Sequence, residues 1–386
     1  MQAEFLPGNR LTLLNSGAEY FPALIAEIDG ARAEIYLETY IFEADTTGEA
    51  VAAALSRAAR RGVTVRLLVD GFGARDFPNT LMPPLVADGA QVLIFRQELA
   101  TFRLRRHRLR RLHRKIAVID GQVAFVGGIN IIDDRNTPHQ IPPRYDYAVR
   151  VEGPLLGPIY RAVRRLWELV VWARLQHRYS VGPSLALADA PIGHQTAAFV
   201  LRDNLRHRRD IEETYLEAID RAREEILIAN AYFLPGKRFR QALVDAAARG
   251  VRVTVLLQGR VEYRLLHYAS QALYGTLLKA GIHIHEYHRS FLHAKVAVVD
   301  GQWATVGSSN IDPFSLLLAR EGNVFVQDRG FAQELRHSLG QAMASGAREL
   351  QPGRWHRLPL YSRLLRWASY SLVRLLIGIA GYSAKH

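Results

Sequence analysis

Three blocks of this 386-residue sequence occur twice, in the same order. ARAEIYLETYIF at 31–42 returns as AREEILIANAYF at 222–233. RGVTVRLLVDG at 61–71 returns as RGVRVTVLLQG at 249–259. LHRKIAVIDGQVAFVGGIN at 112–130 returns as LHAKVAVVDGQWATVGSSN at 292–310. One such match is within the reach of chance, but three in register, at offsets of 191, 188 and 180, require two copies of one fold. Residues 34–40 and 225–231 are short, apolar, β-leaning runs, and 63–69 and 251–257 read as buried strands. Between them the Ala-rich stretches 48–61 and 239–249 have helical composition and end at Arg-Gly stops. Helices alternating with strands predict α/β layers, and the period is too long for a solenoid. The expectation is two fused α/β halves facing each other. The first spans 1–180 and the second 195–350, with a looser Pro-bearing stretch between them and a C-terminal segment at 351–386. The helical stretch at 160–176 is expected to pack between the halves.

Each third block contains His-x-Lys-x4-Asp: His113, Lys115 and Asp120, then His293, Lys295 and Asp300. Residues two apart on a strand share a face, so each His points with its Lys. Asp120 and Asp300 have the opposite parity and precede a glycine, which suits a hairpin turn better than contact with substrate. Folding back at that turn brings Gly127, Gly128 and Asn130 beside the first pair. It brings Gly307, Ser308, Ser309 and Asn310 beside the second. Small residues let a phosphate approach the backbone, and Asn donates to its oxygens. Two such patches make a concrete reaction available. One His attacks phosphorus while the other protonates the leaving alkoxide and later takes a proton from the incoming hydroxyl. Lys and Asn stabilise the charge on the non-bridging oxygens. This chemistry requires neither metal nor cofactor. Glu38, Asn230, Tyr40 and Tyr232, near the ends of the first strands, are candidate pocket residues.

These residues resemble the HKD motif of the phospholipase D superfamily, and the resemblance covers nearly the whole chain. GGIN at 127–130, GSSN at 307–310, FVLRDNLRHRRD at 199–210, IANAYFLPG at 228–236 and ATVGSSNIDPFSL at 304–316 look like the bacterial cardiolipin synthases of the B type. The resemblance implies a phospholipase D-like α/β/α sandwich repeated twice, with the active site at the pseudo-two-fold interface. It implies condensation of two phosphatidylglycerols to cardiolipin and glycerol through a phosphohistidine. Related members use phosphatidylethanolamine as donor. It makes His113 the nucleophile and His293 the acid and base. It also pairs Asp146, in RYDYAV, with His293, and Glu321, in REGNVFV, with His113. Gly128 departs from the Gly-Ser of many members, which makes the half-sites unequal.

A net charge of +13 favours an anionic partner, nucleic acid or an anionic membrane. The absence of cysteine removes disulfides and thiolate chemistry. Residues 103–115, RLRRHRLRRLHRK, hold seven Arg and one Lys without an acid and read as a membrane-facing clamp. No acid follows Glu349. Leu365, Ala368, Leu372, Leu375, Leu376 and Ile379 recur at helical spacing, with Arg363, Arg366, Tyr370 and Arg374 on another face and Trp355 and Trp367 nearby. That pattern predicts an interfacial rather than a spanning helix. Residues 131–145 read as a surface loop at the rim of the site. A nuclease with the same two-histidine chemistry is the competing reading. The terminal apolar stripe has no use in such an enzyme, and no DNA-reading pattern stands out, so nucleic acid is not the expected partner. A silent lipid-binding protein does not need both motifs intact. The expected setting is peripheral, on the cytoplasmic side of a bacterial inner membrane.

Overall fold

The computed structural model describes residues 3–96, 111–138, 140–179, 181–203, 207–260, 263–312, 319–356 and 359–377. Most of the basic run at 103–115 therefore lies outside the described residues, as does the chain beyond 377.

The first half is built from β1 (Leu6–Asn15), β2 (Glu34–Thr39), β3 (Thr64–Asp70), β4 (Gln91–Phe95), β5 (Arg111–Leu112), β6 (Lys115–Ile119), β7 (Val123–Gly127), β8 (Arg144–Tyr145) and β9 (Tyr147–Glu152). The second half repeats them as β10 (Gln195–Arg202), β11 (Glu225–Asn230), β12 (Arg252–Gln258), β13 (His283–Tyr287), β14 (Phe291–Leu292), β15 (Lys295–Val299), β16 (Trp303–Gly307) and β17 (Ala319–Gln327), a single strand in place of β8 and β9, with β18 (Ala347–Glu349) added at its edge. In space the main sheet runs β18-β13-β12-β11-β15-β16-β17-β10-β1-β9-β7-β6-β2-β3-β4. Read outward from the β1–β10 pair, the order is the same in both directions. β1 and β10 join antiparallel, Leu6 opposite Ala197 and Asn9 opposite Gln195. A pseudo-two-fold axis passes through this seam.

In each half one helix begins after the seam strand and another after the first parallel strand. They are α1 (Ser16–Gly30) and α2 (Thr46–Arg60), then, in the second half, Asp210–Arg221 and Lys237–Ala248. The Asp45 side chain caps α2 by accepting from Gly48 N–H at 3.0 Å. Both Ala-rich helices stop at Arg-Gly, where Gly62 (φ 91°) and Gly250 (φ 90°) take the left-handed backbone that ends a helix. The hairpin turns use Asp120-Gly121 (φ 52° and 61°) and Asp300-Gly301 (φ 51° and 59°), both positive as a type I′ turn requires.

The sheet is buried on both faces, so its strands are nearly all apolar. One face packs on α1 and α2 around Leu24, Ile28, Val51 and Leu55, and on the equivalent helices around Tyr215, Ile219 and Leu243. The other face carries the helices Leu156–Ala173 and Arg329–Gly346, and its core runs unbroken across the seam from Trp167 to Leu335 and Leu339. The expectation for 160–176 needs correction. Helix Leu156–Ala173 packs on its own half, against β2, β4, β6 and β7, and does not wedge between halves. Its register buries Trp167 and leaves Trp172 exposed.

The C-terminal helix Leu360–Ile377 lies along helix Arg264–Lys279. Val373 and Tyr370 meet Leu266, Ala269 and Leu273, and Arg366 donates to Gln271 at 2.9 Å. Its mixed face is thus the docked one. Leu360, Leu364, Trp367, Leu372, Leu375 and Leu376 are exposed, the first three along a groove that the helix forms with Gly275, Lys279 and Trp355. Among the described residues no helix is long and apolar enough to cross a membrane.

Candidate active site

Each motif histidine stands between a short strand and a long one, and the short strand pairs with the other half. β5 runs parallel to the start of β17, Arg111 opposite Ala319 and Leu112 opposite Arg320. β14 runs parallel to β8, Phe291 opposite Arg144 and Leu292 opposite Tyr145. The pairing continues into the histidines. His113 N–H donates to Arg320 O at 3.0 Å, and His293 N–H donates to Tyr145 O at 2.8 Å. Each half thus places its imidazole beside the residue that follows in the other half. His113 Nδ1 lies 2.9 and 3.1 Å from the two oxygens of Glu321, and His293 Nδ1 lies 2.6 Å from Asp146 Oδ2. At His113 the carboxylate at Nδ1 favours the tautomer with the proton there, which frees the Nε2 lone pair, whereas His293 Nδ1 faces both Asp146 and the Lys295 Nζ at 2.9 Å.

The carboxylates are fully enclosed, while His113 and His293 keep 16% and 13% of their side-chain surface. The imidazoles therefore form the floor that a ligand can reach. Lys115 Nζ donates to His113 O at 2.6 Å, and Lys295 Nζ sits 3.6 Å from Asp146. Burial pushes Lys115 down to about 7, against the pull of Glu321, and Lys115 also feels Lys295 and Asp146 from the other half-site. Burial lowers His113 despite Glu321. Burial and then the Lys295 ammonium bring His293 down to about 3. Burial favours neutral Asp146, but Lys295 and the His293 hydrogen bond keep it below the usual carboxylate range. The result is two uncharged imidazoles under a pair of lysines, suited to one anionic phosphodiester.

The carboxylates are braced differently in the two halves. Ser308 Oγ donates to Glu321 Oε2 and accepts Gly322 N–H at 3.1 Å. Gly128, its counterpart, stands where a Cβ would lie 2.3 Å from Asp146 Oδ1. The shorter Asp fits against a glycine and the longer Glu against a serine. Ser308, Ser309 and Gly128, grouped by sequence with the substrate-binding residues, thus serve the protein's own polar groups. Ser309 N–H donates to Asn323 Oδ1 at 3.3 Å. Asn130 and Asn310 are buried at the strand ends, and Asn130 Oδ1 accepts Ile41 N–H at 3.1 Å.

Asp120 and Asp300, counted with the catalytic residues of the motif, hold backbone instead. Asp120 accepts from Arg32, Ala33 and Glu34 N–H at 2.7, 2.8 and 2.9 Å. Asp300 does the same for Arg223, Glu224 and Glu225 at 2.9, 2.8 and 2.9 Å. They fasten the hairpin to the start of the neighbouring strand, as their parity suggests. Glu38 is not a pocket residue, because it makes a buried ion pair with Arg114, whose guanidinium also donates to Ala162 O at 3.0 Å. In the second half Ala229 and Ala294 occupy both positions, so charge and counter-charge are present or absent together. Arg114 therefore leaves the expected membrane clamp. Asn230 Oδ1 accepts Ile311 N–H at 3.2 Å, another internal contact. Tyr40 does reach the site, its ring 5.0 Å from that of His113 and edge-on. Tyr232 lies 5.9 Å from Tyr263, ring to ring. The 131–145 segment reaches across the seam, with Gln140 accepting from Gln258 Nε2 at 3.2 Å. Sequence reasoning passed over Asp70 and Gln258, which end β3 and β12. Their signal lay in the repeat, where they are matched polar residues before a glycine.

A family model described as "Cardiolipin synthase, PLD-like domain" matches residues 24–149 and again 215–343. Cardiolipin synthase B of Escherichia coli K12 is 39% identical over 360 residues, covering 91% of this chain and 84% of that protein. Cardiolipin synthase A of Yersinia pseudotuberculosis is 31% identical, covering 96% and 76%. Among solved structures, phosphatidylserine synthase of Haemophilus influenzae Rd KW20 superposes with a TM-score of 0.72, covering 97% of this chain and 96% of that one. At 14% identity it speaks for the fold alone. With the family model matching both halves, and with relatives this similar over almost its whole length, the chain belongs to the phospholipase D-like cardiolipin synthase family.

Proposed function

We propose that this protein is a phosphatidyltransferase that joins two phosphatidylglycerols into cardiolipin and releases glycerol. The observation that carries the reading is the crossed pair of imidazoles, each hydrogen-bonded to a carboxylate of the opposite half and flanked by a lysine. The extent of similarity to cardiolipin synthases B selects lipid over other phosphodiesters. In the first step His113 Nε2 attacks phosphorus. The P–N bond forms, the P–O bond to glycerol breaks, and His293 gives the alkoxide its proton. The negative charge of the bound phosphodiester opposes the push of Lys295 on His293 and so helps that imidazole hold the proton it must donate. In the second step the hydroxyl of another phosphatidylglycerol loses its proton to His293 and attacks phosphorus. The P–N bond breaks and cardiolipin leaves. The lysines stabilise the charge that builds on the non-bridging oxygens.

The second part of the proposal concerns where this happens. The C-terminal helix exposes leucines and Trp367 beside Arg363 and Arg374, the composition of a helix that lies in a bilayer interface rich in anionic lipid. The enzyme is then peripheral, at the cytoplasmic face of the inner membrane where phosphatidylglycerol is presented.

The test is purified protein with phosphatidylglycerol vesicles and mass analysis of the products. Cardiolipin and glycerol in equal amounts are expected, lost in both His113→Ala and His293→Ala with the fold intact by circular dichroism. Cardiolipin formation at the normal rate in either variant overturns the mechanism, and no cardiolipin from the native chain overturns the reaction.

A further inference from the structure

We infer that Asp70 and Gln258 are the positioning residues of the two catalytic histidines, and that a carboxylate in one half against an amide in the other makes the half-sites electrostatically unequal. The two occupy matched places in the repeat, last in β3 and β12. Both are buried. Asp70 Oδ2 accepts the N–H of Leu112 at 2.7 Å, and Gln258 Oε1 accepts the N–H of Leu292 at 3.0 Å. Each leucine immediately precedes a histidine.

The next N–H in the chain, that of the histidine itself, is held by the opposite half through Arg320 O or Tyr145 O. Two consecutive amides thus fix each histidine backbone, one from its own half and one from across the seam. The side-chain oxygen is the only part of this brace that a point substitution removes without touching the imidazole or its carboxylate. Loss of it frees the peptide before the histidine, and a displacement of about 1 Å at a reacting group costs about 10²-fold in rate.

The brace differs in charge between halves. Asp70 also accepts Phe72 N–H at 2.9 Å and Gly73 N–H at 3.2 Å. Burial raises its pKa, while these amides and Arg111 act in the opposite direction. Its negative charge acts on Lys115, together with Glu321 and Asp146 and against Lys295. Gln258 brings no charge to the second half-site, and its Nε2 reaches Gln140 instead. The sign follows directly. Removing the Asp70 charge makes Lys115 easier to deprotonate, so the cationic form that grips phosphate is lost at a lower pH.

This inference rests on the two-histidine reading above, and the experiment separates the two. Native chain and variants are assayed for cardiolipin formation and, in parallel, for hydrolysis of bis-p-nitrophenyl phosphate, a lipid-free phosphodiester, across pH 5–10. Asp70→Asn keeps an oxygen for Leu112 N–H, so it should change kcat by no more than a few-fold, leave KM nearly unchanged, and move the alkaline limb of the profile to lower pH. Gln258→Ala removes the acceptor and should lower kcat by about 10- to 100-fold with the alkaline limb in place. Gln258→Glu should recover most of that loss, since it restores an acceptor and Gln140 can turn its amide nitrogen inward to meet it. If Asp70→Asn does not fold, the Gln258 pair still decides the positioning claim. Native kcat in folded Gln258→Ala, or a loss that Gln258→Glu does not repair, overturns positioning. An identical alkaline shift in Asp70→Asn and Gln258→Ala, or none in either, overturns the charge asymmetry. Phosphodiester hydrolysis without cardiolipin in the native chain overturns the lipid reaction and leaves the brace to be judged on the same variants.

Discussion

Gly128 and Asp146 are one device and Ser308 and Glu321 another. A side chain at Gly128 meets the Asp146 carboxylate at 2.3 Å, and that carboxylate is already held by His293 Nδ1 and by Tyr147 N–H at 2.8 Å. It has nowhere to retreat without releasing the imidazole. Gly128→Ser should therefore lower kcat by about tenfold or more, in line with the sensitivity of catalysis to small displacements. Asp146→Glu made alone leaves the longer carboxylate without its serine. Made together, the two substitutions rebuild the Ser–Glu pairing of the second half. The double variant should then be more active than the product of the single losses, a coupling that a double-mutant cycle on kcat measures. Strict additivity would refute the pairing. Residues like these mark the limit of what sequence discloses. The His-x-Lys spacing and the parity of Asp120 were legible because strand geometry alone sets them. Glu38 was misread because a buried ion pair and a pocket carboxylate look alike until the partner, Arg114, is known. The tell was the joint replacement by Ala229 and Ala294. Ser308 was misread because its hydroxyl turns to a carboxylate thirteen residues on, a contact made only when β16 and β17 pair.

At the scale of elements, the C-terminal helix shows how periodicity predicts an amphipathic segment without saying which side faces the protein. The leucine stripe is the natural candidate for docking, yet the docked side is Arg366, Ser369, Tyr370 and Val373, with Val373 fully buried. The guanidinium of Arg366 lies over the Trp355 ring at 5.1 Å, which lets a charged residue serve as packing. The two sides make opposite predictions. Leu364→Asp with Leu375→Asp, both on exposed positions, should leave the melting temperature within a degree or two of native. Sedimentation with phosphatidylglycerol vesicles should fall by at least tenfold, because each leucine removed from an apolar interface forfeits about 2 kcal/mol. Turnover on detergent-dispersed lipid should persist. Unchanged vesicle binding would dismiss the helix as the membrane contact. The helices and strands of the repeat were readable at this scale because their Arg-Gly stops and Asp-Gly turns carry local backbone requirements. The packing of Leu156–Ala173 on its own half was not, since an apolar stripe does not name the surface it covers.

Across the whole molecule, the two copies exchange contacts rather than merely adjoin. The strand before each histidine pairs with the other half, and each imidazole takes its carboxylate from there. A substitution in the second half therefore acts on the first-half histidine, and the reverse. Glu321→Gln should disable His113, the group that bonds to phosphorus, whereas Asp146→Asn should disable His293, the group that moves the proton. The two lesions look alike on phosphatidylglycerol, where glycerol is a poor leaving group and needs protonation. They separate on a phosphatidyl ester of p-nitrophenol, which departs as a stable anion. General acid catalysis contributes about 10²–10⁴-fold, so Asp146→Asn should regain much of that factor in the burst of nitrophenolate that accompanies formation of the phosphohistidine, the step that then needs no proton from His293, while Glu321→Gln stays impaired. Equal impairment of both variants on both esters would mean that the carboxylates serve a common structural purpose. The reverse pattern would make His293 the nucleophile and leave the crossed wiring intact. Repeat offsets alone show two copies, but a point lesion in one copy that damages a chemical step in the other is the signature of a site that neither half contains.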